Sequence, residues 1–282
     1  MIDLHIHTNA SDGQYSPAET VRLAARKGVA CVAITDHDTV DGLSEARRAA
    51  NETGIGFIPG IEISVQGSRE LHILGYYIDC AHSGLKEACG NFIRLREQRA
   101  CRIFDYLSQK GVPLTEEQVQ CHVLKRAPNR PHFARAMVDA GYVSSVQEAF
   151  DRYLGTPEFD SVERTKPAAR DGLQMILDAG GIPVLAHPAL LNLDDENLMA
   201  LISGLTDAGL KGLECYHSRH TPEQVARYVK YAEKLGLLAT AGSDFHGENN
   251  KPGVDIGDCG PILTEAVCED ILCRLRSNRQ NL

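Results

Sequence analysis

Seven short apolar segments alternate with helical patterns along this chain, and this alternation constrains the fold more than any other feature. Val29–Thr35 and Gly181–Ala186 are continuous apolar runs of the kind found in strands buried on both faces. Ser16–Glu19 and Thr221–Gln224 each combine a capping box with proline at the first helical position, so each predicts the start of a helix. Strands that alternate with helices favour a parallel α/β barrel, and 282 residues suit one.

Residues 81–164 interrupt the alternation. A long, arginine-rich helical pattern occupies Leu85–Lys110, and shorter helical patterns follow it with no strong strand pattern between them. We therefore predict two parts: a metal-binding barrel formed by residues 1–80 and 165–282, and a small helical insertion, residues 81–164, that contributes substrate contacts.

Composition excludes several classes of protein. The formal charge of −9 argues against a broad surface for duplex nucleic acid. It leaves room for an anionic small molecule, because bound divalent cations reverse the local charge. Nine cysteines, without any Cys-x-x-Cys pair, predict reduced thiols and a cytoplasmic protein. No apolar run is long enough to cross a membrane, so we expect no membrane partner.

A histidine or an acidic residue follows nearly every predicted strand, at the end where barrel enzymes place their functional residues. His5 and His7 stand two apart in an alternating run, so both imidazoles point to one face of a strand. His72 departs from the rule, because it comes early in its predicted strand, Glu70–Ile78. Nine side chains are candidate metal ligands: His5, His7, Asp12, His37, Glu62, His72, His187, Asp244 and His246.

Nine nitrogen and oxygen ligands are too many for one tetrahedral ion and suit two or three divalent ions that share a carboxylate. Without cysteine in the set, the expected metals are Mn²⁺, our preferred choice, Zn²⁺ or Fe²⁺. Such ions lower the pKa of bound water and neutralise charge on reacting oxygens, so hydrolysis is the predicted chemistry. Asp36 and Asp38 flank His37, and we predict that they orient imidazole rings.

Six motifs carry a family resemblance, in chain order: Asp3-Leu-His-Ile-His7, Ile34-Thr-Asp-His37, Gly60-Ile-Glu-Ile-Ser64, Leu71-His-Ile-Leu-Gly75, Ala186-His-Pro188 and Gly242-Ser-Asp-Phe-His246. Together they resemble the signatures of the PHP (polymerase and histidinol phosphatase) family. The resemblance implies a distorted (β/α)₇ barrel with a binuclear or trinuclear metal site. It implies three ligand groups, of which the first two share Glu62: His5, His7, Glu62 and Asp244; Glu62, His72 and His187; and Asp12, His37 and His246.

Within the family the chain is most similar to short phosphoesterases that carry a helical insertion, among them nucleoside 3′,5′-bisphosphate phosphatases and enzymes that trim RNA from its 5′ end. The matching insertion motifs are Arg130–Arg135 and Phe150–Leu154. They imply that Arg130, His132 and Arg135 contact a substrate phosphate, for which arginine has the bidentate geometry.

We therefore expect a metal-dependent phosphoesterase that removes phosphate from a nucleoside 3′,5′-bisphosphate or a similar nucleotide. In the expected reaction a metal-bridging hydroxide attacks phosphorus, with Glu62, Asp244 and His217 as catalytic residues and inorganic phosphate as product. Short RNA ends are a further candidate substrate.

Two departures from those relatives leave an alternative open. Gly155–Arg164 is more acidic than the corresponding stretch, and His217 stands where a smaller residue is common. His217 is either a contact to the substrate or leaving group, or a buried structural histidine. Both departures weaken the nucleotide assignment, and the preferred alternative is a cyclic phosphodiesterase that opens a ribose cyclic phosphate, since similar short relatives include such enzymes. Two other hypotheses are less favoured. A C–N amidohydrolase would use a bridging lysine, and none is obvious in this sequence. Non-catalytic PHP modules usually lose metal ligands, whereas this chain has all nine candidates.

Overall fold

The computed structural model describes residues 1–67, 71–123, 128–162 and 165–279. Within these ranges the strands are β1 (Ile2–Ile6), β2 (Cys31–Ile34), β3 (Gly56–Ser64), β4 (His72–Tyr76), β5 (Ile182–Leu185), β6 (Gly212–His217) and β7 (Leu238–Gly242). The α-helices are α1 (Pro17–Arg26), α2 (Leu43–Thr53), α3 (Ser83–Gln109), α4 (Glu116–Gln120), α5 (Arg130–Asp139), α6 (Val146–Ala149), α7 (Ala169–Asp178), α8 (Asp195–Asp207), α9 (Pro222–Leu235) and α10 (Glu265–Arg279). Glu70 of the predicted fourth strand and Arg164 of the acidic segment lie outside the described ranges.

The seven strands form one sheet in the order in which they occur along the chain. The sheet curls back on itself, because Ile6 at the end of β1 makes a parallel bridge to Phe245, just after β7. The amide of His7 donates to the carbonyl of Phe245 at 2.9 Å, and the amide of Asp244 donates to the carbonyl of His5 at 2.8 Å. The predicted (β/α)₇ barrel is confirmed.

The prediction that every strand runs parallel is wrong for β4, which is antiparallel to both β3 and β5. The cause is the connection of residues 65–71, since a parallel crossover needs a dozen residues or more. The register pairs Ser64 with His72, so the first residue of β4 lies beside the last residue of β3. His72 therefore starts its strand at the edge where the parallel strands end, which explains its early position.

The two predicted helix starts are confirmed. The hydroxyl of Ser16 caps α1 and the side chain of Glu19 returns to the Ser16 amide, while Thr221 and Gln224 do the same for α9. Reciprocal bonds of this kind satisfy amides that a helix start otherwise leaves unpaired. None of the described helices combines the length and the apolar character needed to span a membrane.

Contacts between Cα atoms divide the chain into a barrel unit, Met1–Ala88 with Lys166–Leu282, and an insertion unit, Cys89–Thr165. The insertion unit has its own apolar core, in which Phe133 and Leu107 are fully buried. Phe159 belongs to this core: it is 1% exposed, and its ring meets that of Tyr106 edge-on at 5.3 Å. The acidic segment that starts at Gly155, which departs from the relatives, thus contains a core residue of the insertion unit.

Candidate metal centre

β1 places His5 and His7 side by side, as its two-residue period predicts. Both side chains are buried, and their Nε2 atoms lie 3.1 Å apart. Gly242 makes this packing possible, because a Cβ there would lie 2.2 Å from the Cβ of His5. The end of β7 therefore passes directly against the ring-bearing end of β1.

Glu62 lies among the imidazoles and divides its two oxygens between them. Oε1 lies 3.0 Å from Nδ1 of His72 and 3.1 Å from Nε2 of His187. Oε2 lies 2.9 Å from Nδ1 of His37 and 3.1 Å from Nε2 of His7. Burial by itself raises the pKa of Glu62, but the surrounding histidines outweigh burial and hold it well below its usual range. Glu62 is thus an ionised, buried carboxylate that faces two sets of nitrogen atoms.

Asp244 follows β7 in the left-handed backbone region, with φ of 59°, which few non-glycine residues adopt. Oδ1 of Asp244 faces the histidines, 3.4 Å from Nε2 of His7 and 3.3 Å from Nδ1 of His246. Oδ2 faces the other way, towards His217 and the ammonium group of Lys251. Burial raises the pKa of this carboxyl, but Lys251 and the histidines outweigh it and lower the pKa well below its usual range.

Asp12 completes the set on the far side of His7. One of its oxygens lies 3.8 Å from Nδ1 of His7 and 3.5 Å from Nε2 of His246, and the other lies 4.0 Å from Nε2 of His37. All nine predicted ligands therefore come together, in four overlapping groups whose ligand atoms lie within 4.8 Å of one another. The groups are His7, Asp12, His37 and His246; His5, His7 and Asp244; His5, Glu62 and His187; and His37, Glu62 and His72. A fifth group joins His5 to Glu214 and His217, which were not predicted as ligands.

These distances fit metal ions. Two ligand atoms that are each about 2.1 Å from a shared ion lie about 3 to 3.5 Å apart, which is the spacing of most pairs here. The donor set of imidazole nitrogens and carboxylate oxygens suits Zn²⁺, Mn²⁺ or Fe²⁺. Burial and the neighbouring His246 and His37 lower the pKa of His7 to about 3, so its ring is neutral, as a metal ligand must be.

Glu214 on β6 is a member of the site that the sequence reasoning missed. Its Oε1 lies 2.9 Å from Nδ1 of His5, and its Oε2 accepts the amide of His187 at 2.7 Å. Glu214 is fully buried, and although burial raises its pKa, His5 outweighs burial and lowers it to about 2. A carboxylate on Nδ1 places the proton there and leaves Nε2 of His5 to face the site. The available signal was an acidic residue inside an otherwise apolar strand.

His217 also points into the site, three residues after Glu214. A register shift in β6 between Glu214 and Tyr216 lets both side chains share one side of the strand. The amide of Arg219 donates to Nδ1 of His217 at 3.0 Å, so the neutral ring carries its proton on Nε2. Nε2 lies 3.7 Å from Oδ2 of Asp244. This tautomer makes His217 a hydrogen-bond donor towards the site rather than a metal ligand.

The predicted role of Asp36 is wrong. Asp36 accepts the amide of Thr8 at 2.8 Å and the hydroxyls of Thr8 and Ser11 at 2.7 and 2.6 Å. It therefore holds the loop that leads to Asp12 instead of orienting an imidazole. Asp38 accepts the amide of Ser64 at 3.1 Å, at the end of β3.

The three predicted substrate contacts of the insertion unit lie on α5. Arg130 begins the helix, and its guanidinium lies 5.6 Å from the centre of the Phe150 ring. His132 is buried, and its Nδ1 accepts the amide of Asn129 at 2.9 Å, which closes the start of α5. Arg135 is half-buried on the second turn. Nδ1 of His132 thus has a structural role in its own unit, and a ligand role for these three side chains stays a prediction.

Known proteins are similar to this chain over most of its length. A family model described as PHP domain matches residues 3–251. A 3′,5′-nucleoside bisphosphate phosphatase of Chromobacterium violaceum is 33% identical over 273 residues, 94% of this chain and 95% of that protein. A 5′-3′ exoribonuclease of Haemophilus influenzae is 36% identical over 86% of this chain and 89% of its own length. A phosphoribosyl 1,2-cyclic phosphate 1,2-diphosphodiesterase of Eggerthella lenta is 31% identical over 87% of this chain and 94% of its own.

Solved structures give the same result for the fold. A protein of Bifidobacterium adolescentis described as a metal-dependent phosphoesterase superposes with a TM-score of 0.82 at 32% identity, covering 96% of this chain and 95% of that one. A Chromobacterium violaceum protein described as an amidohydrolase with bound sulfate superposes with a TM-score of 0.83 at 32% identity, covering 97% and 96%.

Proposed function

The chain belongs to the PHP family and is a metal-dependent phosphoesterase, and we propose that it removes phosphate from a nucleoside 3′,5′-bisphosphate or a similar small nucleotide. The observation that carries this proposal is the similarity to a bisphosphate phosphatase over 94% of this chain and 95% of the relative, insertion included. Sulfate, an analogue of phosphate, is bound in a structural relative of almost equal length.

We propose that the nine clustered residues bind two or three divalent ions, preferably Mn²⁺. When bound, such ions supply the Lewis acidity that activates water and offsets charge on phosphoryl oxygens. Glu62 would link neighbouring ions, since each of its oxygens faces a different pair of histidines. Asp244 would bind through Oδ1, the oxygen that faces His5 and His7. The chain's own part is to hold these ligands rigidly, on strand ends that the barrel fixes.

His217 would act on the substrate rather than on the ions. Its Nε2 carries the proton, points at the edge of the centre and is buried, so it can donate a hydrogen bond to a phosphoryl or leaving-group oxygen. Burial also lowers its pKa, which keeps the ring neutral near pH 7. Arg130, His132 and Arg135 are the proposed contacts to a second phosphate, where a bidentate guanidinium gives orientation as well as charge.

Phosphate release by the Mn²⁺-loaded protein tests the proposal. Adenosine 3′,5′-bisphosphate is compared with a ribose cyclic phosphate and with a short RNA that carries a 5′-phosphate. We expect turnover of the bisphosphate, and a loss of about a hundred- to a thousandfold in kcat for Asp244→Asn, the range for removing one group that stabilises a transition state. Turnover restricted to the cyclic ester or to RNA would reject the bisphosphate and keep the phosphoesterase.

A cyclic ester is the second candidate substrate, because of the Eggerthella lenta relative and because of His217. A ring-opening hydrolysis needs a donor at the leaving alkoxide, and Nε2 of His217 is placed to provide one. The acidic segment that starts at Gly155 no longer favours this candidate, since Phe159 within it is a core residue. In this case His217→Ala should reduce diester turnover more than it reduces monoester turnover.

A further inference from the structure

Lys251 follows β7 by nine residues and places its ammonium group against Oδ2 of Asp244. Its side chain is 21% exposed, so it reaches the candidate metal centre from the surface and not from within the barrel. The same Oδ2 lies 3.7 Å from Nε2 of His217. Lys251 and His217 thus place two hydrogen-bond donors on the one side of Asp244 that faces away from the other histidines.

The loop that carries Lys251 is fastened to the loop that carries Asp12. The amide of Asn249 donates to the side chain of Gln14 at 3.0 Å, and the side-chain amide of Asn250 donates to the carbonyl of Asp12 at 2.8 Å. Gly247 permits this contact, because its φ is 97° and a Cβ there would lie 2.2 Å from the Cβ of Gln14. The backbone thereby holds Lys251 beside the centre independently of its ion pair.

The net charge of the candidate metal centre favours binding of an anion beside Lys251. Four carboxylates line it: the buried Glu62, Asp244 and Glu214, and the partly buried Asp12. Two divalent ions would already balance those four negative charges, and Lys251 adds a further positive charge beside Asp244. A lysine that only accompanied the ions would weaken their binding by repulsion. A dianionic phosphate bound at the rim would neutralise the excess positive charge.

We propose that Lys251, with Nε2 of His217 beside it, forms a phosphate subsite at the rim of the metal centre, supplied by the barrel unit alone. This inference rests on the proposed function, because it takes the substrate to be a phosphate ester. Lys251 contacts a non-bridging phosphoryl oxygen as a compact point charge, whereas the arginines of the insertion would offer bidentate contacts.

Binding of inorganic phosphate to the Mn²⁺-loaded protein, measured by calorimetry, tests the subsite without any turnover. Lys251→Met should weaken phosphate binding by about tenfold or more, the range of a hydrogen bond to a charged group. Lys251→Arg should retain binding within about threefold. Lys27→Met is the matched control, because Lys27 also pairs with an aspartate of the barrel unit, Asp255, but at an exposed position. Mn²⁺ affinity, measured separately, should stay equal or increase in Lys251→Met.

Three results would overturn the subsite: no phosphate binding by the unmodified protein, unchanged phosphate affinity in Lys251→Met, or a loss explained entirely by weaker Mn²⁺ binding. Failure of the proposed function looks different. In that case phosphate binds in a Lys251-dependent manner, yet no phosphate ester is hydrolysed. Conversely, bisphosphate turnover with a KM that does not respond to Lys251→Met would keep the function and reject the subsite.

Discussion

Replacing Glu214 with glutamine removes one buried negative charge and keeps the shape of the side chain. A carboxylate accepts from both of its neighbours here, the ring of His5 at 2.9 Å and the amide of His187 at 2.7 Å. An amide has one acceptor oxygen, so one of these two donors must face an NH₂ group. In the metal-bound protein, where Nε2 of His5 faces an ion, the ring then has no carboxylate to hold its proton on Nδ1, and its orientation towards the ion is less firmly fixed.

The expected loss is about 10- to 100-fold in metal affinity, which is typical when the partner of a metal-binding histidine is changed. That range corresponds to about 1.4 to 2.8 kcal/mol, which agrees with about 1–3 kcal/mol for one buried donor left unsatisfied. Competition with a fluorescent chelator gives the Mn²⁺ affinity. Glu233→Gln, at an exposed position of α9, is the control.

A Mn²⁺ affinity of Glu214→Gln within about twofold of the unmodified protein would refute this reasoning. So would a loss of the same size in Glu233→Gln, because it would come from the net charge of the protein and not from the contact to His5. The Mn²⁺ affinity of Glu214→Asp should lie between those of the unmodified protein and of Glu214→Gln, since aspartate retains the charge but does not reach His5 and His187 as well.

Two further predictions concern stability. Burial and the neighbouring His217 lower the pKa of His220 to about 4. The neutral ring therefore contributes to the free energy of unfolding above about pH 6.5, and this contribution, about 3 kcal/mol in total, is lost as the pH falls towards 4. Urea unfolding of the metal-free protein should therefore show His220→Gln more destabilised relative to wild type at pH 7 than at pH 4.5, and an equal difference at both values would contradict the pKa. Phe159→Ala should destabilise the insertion unit by about 3–5 kcal/mol, whereas the neighbouring control Glu158→Gln should destabilise it by less than about 0.5 kcal/mol. Equal midpoints of thermal unfolding for the two variants would disprove the packing of Phe159.

Much of the candidate site followed from elementary geometry. The two-residue period of a strand placed His5 and His7 together, and the rule that barrel strands present function at one edge gathered the other ligands. These inferences hold because strand ends are fixed by backbone hydrogen bonds, which tolerate little variation. The insertion unit was likewise visible as a run of helical patterns without a strand between them.

Other features depend on contacts between distant parts of the chain. The orientation of β4 was predictable in principle from the short connection of residues 65–71, and Glu214 from its position as an acidic residue inside an otherwise apolar strand. The side of β6 on which His217 lies was not predictable, because the register shift between Glu214 and Tyr216 has no sequence signature. Asp36 was predicted to orient an imidazole ring because it stands next to His37, whereas its actual hydrogen-bond partners lie on the loop after β1. Lys251 lies in a loop, where periodicity gives no information about the direction of a side chain.

The most direct test of the central claim is phosphate release from adenosine 3′,5′-bisphosphate, measured as Mn²⁺ is titrated into metal-free protein and into Asp244→Asn. We predict that activity is absent without metal, rises as two or three ions bind per chain, and stays about a hundred- to a thousandfold lower in Asp244→Asn at saturating metal. Activity that persists in a chelator, or that is equal in Asp244→Asn, would contradict a metal centre built on these nine residues.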